Sequence, residues 1–180
     1  TSYTFTIESD RNLKAVFTPQ YTFTIKSEGS GSVNVDDVTY TDVITANSGT
    51  VFNLEAVAGD RYHFAGWSGD LTGEDYNAQV NLDSNIVITA AFEIDRFTLT
   101  ITTEGSGSVN VDDVAYTEII TADSGTELSL EAAPVSGFNF TGWSGDITSA
   151  DNTVIITLDG NKTVTARFAA VSGIYDNEVS

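Results

Sequence analysis

The sequence predicts an all-β protein made of two tandem small modules of about six short strands each, and three observations carry that prediction. The first is a repeat: YTFTIKSEGSGSVNVDDVTYTDVITANSGT, starting at Tyr21, returns as FTLTITTEGSGSVNVDDVAYTEIITADSGT, starting at Phe97. The alignment holds without a gap from Gly29/Gly105 through Trp67/Trp143 to Phe92/Phe168, and about 39 of 76 positions are identical. The second is an apolar period of two, the pattern of a strand with one face in a core. The third is composition: Thr, Val and Ile make up about 30% of the chain, β-branched side chains that suit a pleated surface.

Residues 1–20 read as the terminal hairpin of a preceding, truncated repeat. Tyr3 to Phe17 matches only the end of the unit, Ala78 to Phe92 and Val154 to Phe168, so the chain is expected to be a piece of a longer tandem array. The hairpin should turn at Glu8 to Arg11 and leave Tyr3, Phe5, Ile7, Leu13, Ala15 and Phe17 in need of cover. A two-stranded hairpin is marginal in water. It is therefore expected to dock on the first full module or to self-associate by adding residues 3–17 to a sheet edge of a neighbouring molecule.

Residues 21–96 form repeat module 1. Tyr21, Phe23 and Ile25 alternate with Thr22, Thr24 and Lys26; Phe52, Leu54 and Ala56 with Asn53 and Glu55; Ile86, Ile88, Ala90 and Phe92 with Val87, Thr89 and Ala91. Residues 97–172 form repeat module 2, with Phe97, Leu99, Ile101, then Leu128, Leu130, Ala132, then Val164, Ala166, Phe168 on the inward face. Gly29-Ser30-Gly31, Asn47-Ser48-Gly49, Gly69-Asp70 and Asp83-Ser84-Asn85, with their copies, separate the runs as turn formers. No window reads as an amphipathic helix; Leu71 to Tyr76 has room for one short turn. Residues 173–180 are a polar tail or linker.

Composition narrows the chemistry. There is no cysteine and no methionine among the 180 residues, and one histidine, His63. Disulfides, thiolate metal sites and Cys nucleophiles are excluded, and His-based chemistry has little to work with. Twenty-six acidic against 7 basic side chains give a net charge of -19, which repels phosphate backbones and anionic lipid. Nucleic acid is an unpromising partner, and no apolar run is long enough to insert in a membrane.

The run Tyr62-His63-Phe64-Ala65-Gly66-Trp67-Ser68-Gly69-Asp70 returns as Phe138-Asn139-Phe140-Thr141-Gly142-Trp143-Ser144-Gly145-Asp146. It resembles the aromatic-x-Phe-x-Gly-Trp-Ser-Gly-Asp signature of divergent internalin-type B repeats, related to the Listeria-Bacteroides repeats of bacterial surface proteins. The resemblance implies a small β-grasp-like module strung in tandem on secreted or surface-anchored proteins, with no enzymatic activity and no cofactor. Module 1 departs from the signature at Gly59-Asp60-Arg61, where module 2 has Val135-Ser136-Gly137. The glycine that precedes the aromatic is displaced there, so a different local turn is expected.

Each candidate for chemistry has a plainer reading beside it. Gly29-Ser30-Gly31 and Gly105-Ser106-Gly107 contain GxG, but a strand rather than a helix follows, which favours a hairpin over a phosphate cradle. A Ser-His-Asp triad would need His63, which is Asn139 in the sister copy. Asp36-Asp37 and Asp112-Asp113 lack the D-x-[DN]-x-[DN]-G loop that Ca2+ prefers and read as solvated turn carboxylates. Lys14, Lys26 and Lys162 do not match one another across copies, which argues against intramolecular Lys-Asn bonds. Trp67 and Trp143 are the possible ligand contacts, as platforms for a sugar face, with core closure as the alternative role. Thr22/Thr24 and Thr98/Thr100/Thr102 form ranks suggestive of ice binding, although Thr is also what solvent-facing strands prefer.

Two functions remain. One is a non-catalytic stalk, spacer or adhesive segment of an exported bacterial protein, meeting an extracellular protein or glycan; the other is a carbohydrate-binding accessory module of a larger secreted enzyme. Exposure of the two indoles separates them.

Overall fold

The computed structural model describes residues 14, 16–116 and 119–171. Among the described residues there is no helix, and the chain divides into two compact units. Most of the expected hairpin at residues 3–17 lies outside the described residues; Lys14, Val16 and Phe17 are exposed and belong to no strand. The tail at 173–180 lies outside them as well.

Module 1 has eight strands: β1 (Gln20–Glu28), β2 (Gly31–Val35), β3 (Val38–Tyr40), β4 (Val43–Asn47), β5 (Thr50–Ala58), β6 (Tyr62–Gly69), β7 (Asn77–Leu82) and β8 (Ile86–Ile94). They form two four-stranded sheets, ordered β4-β1-β8-β6 and β3-β2-β5-β7. Phe23, Ile25, Trp67, Ile88, Ala90 and Phe92 of the first sheet and Val33, Val35, Phe52, Leu54, Ala56, Val80 and Leu82 of the second are all buried. The stacked rings of Phe23 and Phe52, 5.5 Å apart, join one sheet to the other. The module is thus a sandwich of two facing sheets.

Module 2 repeats the plan with β9 (Arg96–Glu104), β10 (Gly107–Val111), β11 (Val114–Tyr116), β12 (Ile119–Asp123), β13 (Glu127–Pro134), β14 (Phe138–Gly145), β15 (Thr153–Thr157) and β16 (Lys162–Ala170). Its sheets are β12-β9-β16-β14 and β11-β10-β13-β15. One continuous core holds Leu99, Ile101, Val109, Val111, Leu128, Leu130, Ala132, Trp143, Ile156, Leu158, Val164, Ala166 and Phe168. Each fully buried Leu or Val of this set contributes about 1.5–3 kcal/mol by leaving water.

The all-β expectation holds, while two details differ. Each module has eight strands where about six were expected, because the edge strands β3 and β4, and their copies β11 and β12, bury no side chain fully and so give little apolar pattern to read. A two-sheet sandwich also stands where the resemblance implied a β-grasp-like module.

The glycines of Gly29-Ser30-Gly31 do more than turn the chain. A Cβ on Gly29, which has φ +82, would lie 2.0 Å from the Phe92 carbonyl oxygen, and one on Gly31 would lie 2.6 Å from the Phe92 ring. The end of β8 therefore packs directly on this backbone, and Gly105 and Gly107 receive Phe168 in the same way.

Candidate functional site

The repeated aromatic signature lies on β6 and β14, at the sheet edge. In a regular strand Phe140 and Trp143, three positions apart, would face opposite sides. A bulge between Phe140 and Gly142 inserts one residue against β16, and both rings then face the core. Gly142, at φ +145, supplies the backbone geometry for it, and its counterpart Gly66 has the matching φ of +146. The Phe140 and Trp143 rings lie 5.5 Å apart and Phe140 meets Phe168 at 5.8 Å; in module 1 Phe64 lies 5.1 Å from Trp67 and 5.8 Å from Phe92.

Both indoles are buried, at 5% exposure for Trp67 and 3% for Trp143. A buried indole N–H needs an acceptor. Trp67 Nε1 donates to the carbonyl of Asp75 at 2.9 Å, and Trp143 Nε1 to that of Asp151 at 3.0 Å. The backbone N–H of each Trp donates to Gly73 or Ser149, both at 2.7 Å. Leu71 to Tyr76 thus holds no helical turn; it supplies one acceptor to the indole, the Asp75 carbonyl, and one to the Trp67 backbone N–H, the Gly73 carbonyl. Neither Trp presents a ring face on which a sugar could stack.

The rest of the signature anchors the strand end. Gly69 has φ +94, and a Cβ there would lie 2.4 Å from the Val87 carbonyl oxygen. Asp70 N–H donates to that same carbonyl at 2.9 Å, while the Asp70 carboxylate accepts the Val87 N–H at 2.8 Å. Asp146 holds Thr163 by the same pair of bonds. The acid of Gly-Trp-Ser-Gly-Asp therefore pins backbone and does not stand free.

Asp36-Asp37 and Asp112-Asp113 occupy two-residue hairpin turns between registered Val35↔Val38 and Val111↔Val114, with positive φ from 47° to 66°. Both central residues left-handed is the type I′ arrangement, which suits the strand twist. Asp36 Oδ1 accepts from the Asn53 backbone N–H at 3.1 Å and its amide at 2.9 Å; Asp112 Oδ1 accepts from Ser129 N–H at 3.1 Å. Among the described residues no group of three or more His, Asp or Glu is placed to hold a metal.

His63 is exposed, with Nδ1 2.8 Å from Asp95 Oδ1. Lys162 Nζ lies 2.6 Å from Asp159 Oδ1 on the β15–β16 turn. That hydrogen-bonded pair lowers the Asp159 pKa and raises that of Lys162. Lys14 and Lys26 are exposed. Thr102 Oγ1 is engaged sideways with Thr165 Oγ1 at 2.7 Å.

One surface was not singled out by the sequence. On the outer face of β3-β2-β5-β7, Thr39 donates to Asn34, Asn34 to Glu55, Gln79 to Asn53 and Asn53 to Asp36, at 2.8–3.1 Å. These residues are scattered through the sequence, and only strand register puts them side by side.

Comparison with known proteins gives three findings. The profile of a family described as "Divergent InlB B-repeat domain" matches residues 21–96 and again 97–172. No curated protein matches the chain. Among solved structures, the major pilin protein T-13 from Streptococcus pyogenes serotype GAS131465 is similar over 86% of this chain and 98% of its own, at 10% identity and TM-score 0.37. A second Streptococcus pyogenes major pilin covers 83% and 96%, at 10% identity and TM-score 0.35.

Proposed function

Since the chain belongs to the divergent InlB B-repeat family, with one domain at 21–96 and a second at 97–172, we propose that it is a non-catalytic spacer segment of an exported bacterial protein. One observation carries this reading: the signature residues are spent on the fold. Trp67 and Trp143 close the core, Gly142 makes the bulge and Gly66 shares its φ, and Asp70 and Asp146 hold backbone amides. What the repeat preserves between its copies is therefore a foldable unit, and length grows by adding units. The net charge of -19 suits a segment that stays soluble and does not adhere to itself.

An adhesive role on an extracellular glycan is the second reading. The amide and carboxylate ladder on the outer face of module 1 favours it, because arrays of hydrogen-bonding side chains suit sugar hydroxyls. Module 2 has Ala115, Ser129 and Ile155 at the positions of Thr39, Asn53 and Gln79, so this face is confined to module 1.

An exchange experiment separates the two. The chain is displayed between a cell-surface anchor and an epitope tag, and either extended to more repeats or replaced by an unrelated sandwich pair of equal length. A spacer gives tag accessibility to a bulky antibody that rises with repeat number and survives the replacement. Glycan-array binding that is lost with N34A/N53A/Q79A, together with loss of cell adhesion on replacement, refutes the spacer reading in favour of the adhesive one.

A further inference from the structure

A tethering segment bears tension, and the sheet topology determines which bonds resist it. In module 1 the chain begins with β1 and ends with β8, and these two strands are parallel neighbours, registered from Phe23↔Ile86 to Glu28↔Ala91. In module 2, β9 and β16 repeat the arrangement from Leu99↔Lys162 to Glu104↔Arg167. The other strand pairs with assigned registers are antiparallel. Because the terminal strands run the same way, the incoming end of one and the outgoing end of the other lie at opposite ends of the pair. Tension then slides one strand along its neighbour and loads the whole row of backbone hydrogen bonds together. An antiparallel pair pulled from one end opens bond by bond instead.

Two more features resist sliding. Neither terminal strand is an edge: the order β4-β1-β8-β6 encloses both, so β1 must shear from β4 as well as from β8. Their inward side chains, Phe23 and Ile25 against Ile88, Ala90 and Phe92, are all buried in the close-packed core, so movement along the strand drags each through its neighbours.

We infer that the parallel pair of first and last strands is a mechanical clamp, the load-bearing element of each repeat, and that the clamp of module 2 is the stronger. In module 2 side chains also cross it: Arg167 Nε lies 3.1 Å from Glu104 Oε2, and Thr102 Oγ1 lies 2.7 Å from Thr165 Oγ1. At the same register module 1 sets Glu28 against Ala91 and Lys26 against Thr89. The biological use of the clamp rests on the spacer reading; its existence does not.

The chain has no cysteine, so introduced thiols give unique handles for single-molecule force spectroscopy. Held at its two termini, the full chain should show two unfolding peaks, each releasing roughly 20–25 nm, as one repeat's worth of chain at ~3.3–3.6 Å per residue requires. The control moves one handle to Ser136→Cys, in the exposed turn before β14, and keeps the other at the C-terminus. Force then enters β14 and β16 at the same end and unzips them, with the core unchanged. The module 2 peak should be at least threefold lower in this direction, with circular dichroism confirming that Ser136→Cys folds as the parent does. Equal forces in the two directions overturn the clamp and leave the spacer reading to its own exchange experiment. In the terminal geometry, Glu104→Ala with Thr102→Val should lower the higher of the two peaks to the level of the other. Two peaks unaffected by that pair of changes overturn the assignment of the stronger clamp to module 2.

Discussion

The two modules reach the same backbone with different side chains at three places. At the turn before the aromatic signature, module 2 has Gly137 at φ +86 and module 1 has Arg61 at φ +66. The expected change of turn does not occur: Tyr62 N–H donates to Gly59 at 3.1 Å as Phe138 does to Val135 at 3.0 Å, and Asp95 reaches Arg61 at 2.8 Å as Val171 reaches Gly137 at 2.9 Å. Arg61 is forced into a left-handed conformation because bonds on both sides of it set the path. In the core, the Phe23–Phe52 stack of module 1 is replaced at the aligned positions by Leu99 and Leu128, both buried. On the last turn, the Asp159–Lys162 pair of module 2 corresponds to Asp83 and Ile86. The common backbone therefore rests on what the copies share, the inward alternation and the Gly-Trp-Ser-Gly-Asp signature, while side chains elsewhere vary around it.

The largest effect should come from the shared part. Trp67→Ala and Trp143→Ala should each destabilise their own module by about 3–5 kcal/mol, through a cavity and the loss of the indole N–H bond to Asp75 or Asp151. Denaturant unfolding followed by circular dichroism checks this. Similar losses in the two modules support a common role for the indoles; a loss under 1 kcal/mol in either breaks the comparison. Next come Gly69→Ala and Gly145→Ala, expected to cost about 2–3 kcal/mol from a left-handed φ and a Cβ 2.3–2.4 Å from a carbonyl oxygen. Hydrogen exchange resolved by module should show that loss only in the module changed.

The differences between modules carry smaller expectations. Arg61→Gly should stabilise module 1 by about 0.5–1 kcal/mol by relieving the positive φ, measured as slower exchange of module 1 amides alone. No change would mean that Arg61 gains elsewhere what its backbone loses. The smallest effect concerns pH. The lowered Asp159 pKa gives stability that is present above the ordinary value of 3.8 and is lost as pH falls through the folded value. The raised Lys162 pKa gives stability that is present below 10.5 and is lost as pH rises through its folded value. Both groups are solvent-exposed, so the pair is a weak contributor. Lys162→Ile, which copies module 1, should flatten this part of the pH profile of module 2 and leave that of module 1 unchanged. A profile identical in parent and variant would show the pair to be without consequence.

Much of this fold is legible in the residues. The alternation of Phe52, Leu54 and Ala56 places β5, and that of Ile88, Ala90 and Phe92 places β8, because burial on one face imposes a period of two. What escaped was the weakly patterned part: β3 and β11 lie at sheet edges and carry no inward alternation to read. Strand order escaped for another reason. The parallel pairing of β1 with β8 brings together residues some 60 positions apart, and no local spacing records it. The same holds for the ladder of Asn34, Glu55, Asn53 and Gln79, assembled by register alone. The signature itself was visible twice, but its spacing of Phe64 and Trp67 contradicts strand alternation unless a bulge intervenes, and the glycine that permits one is equally compatible with an exposed loop.

Whether the signature builds the module or serves a ligand is tested most directly by acrylamide quenching of tryptophan fluorescence in the native chain. There is one Trp per module and no other indole. Both should be quenched several times less efficiently than in the denatured chain, and protection should be lost only as each module unfolds. Native quenching as efficient as in the denatured chain, for either indole, would contradict the account.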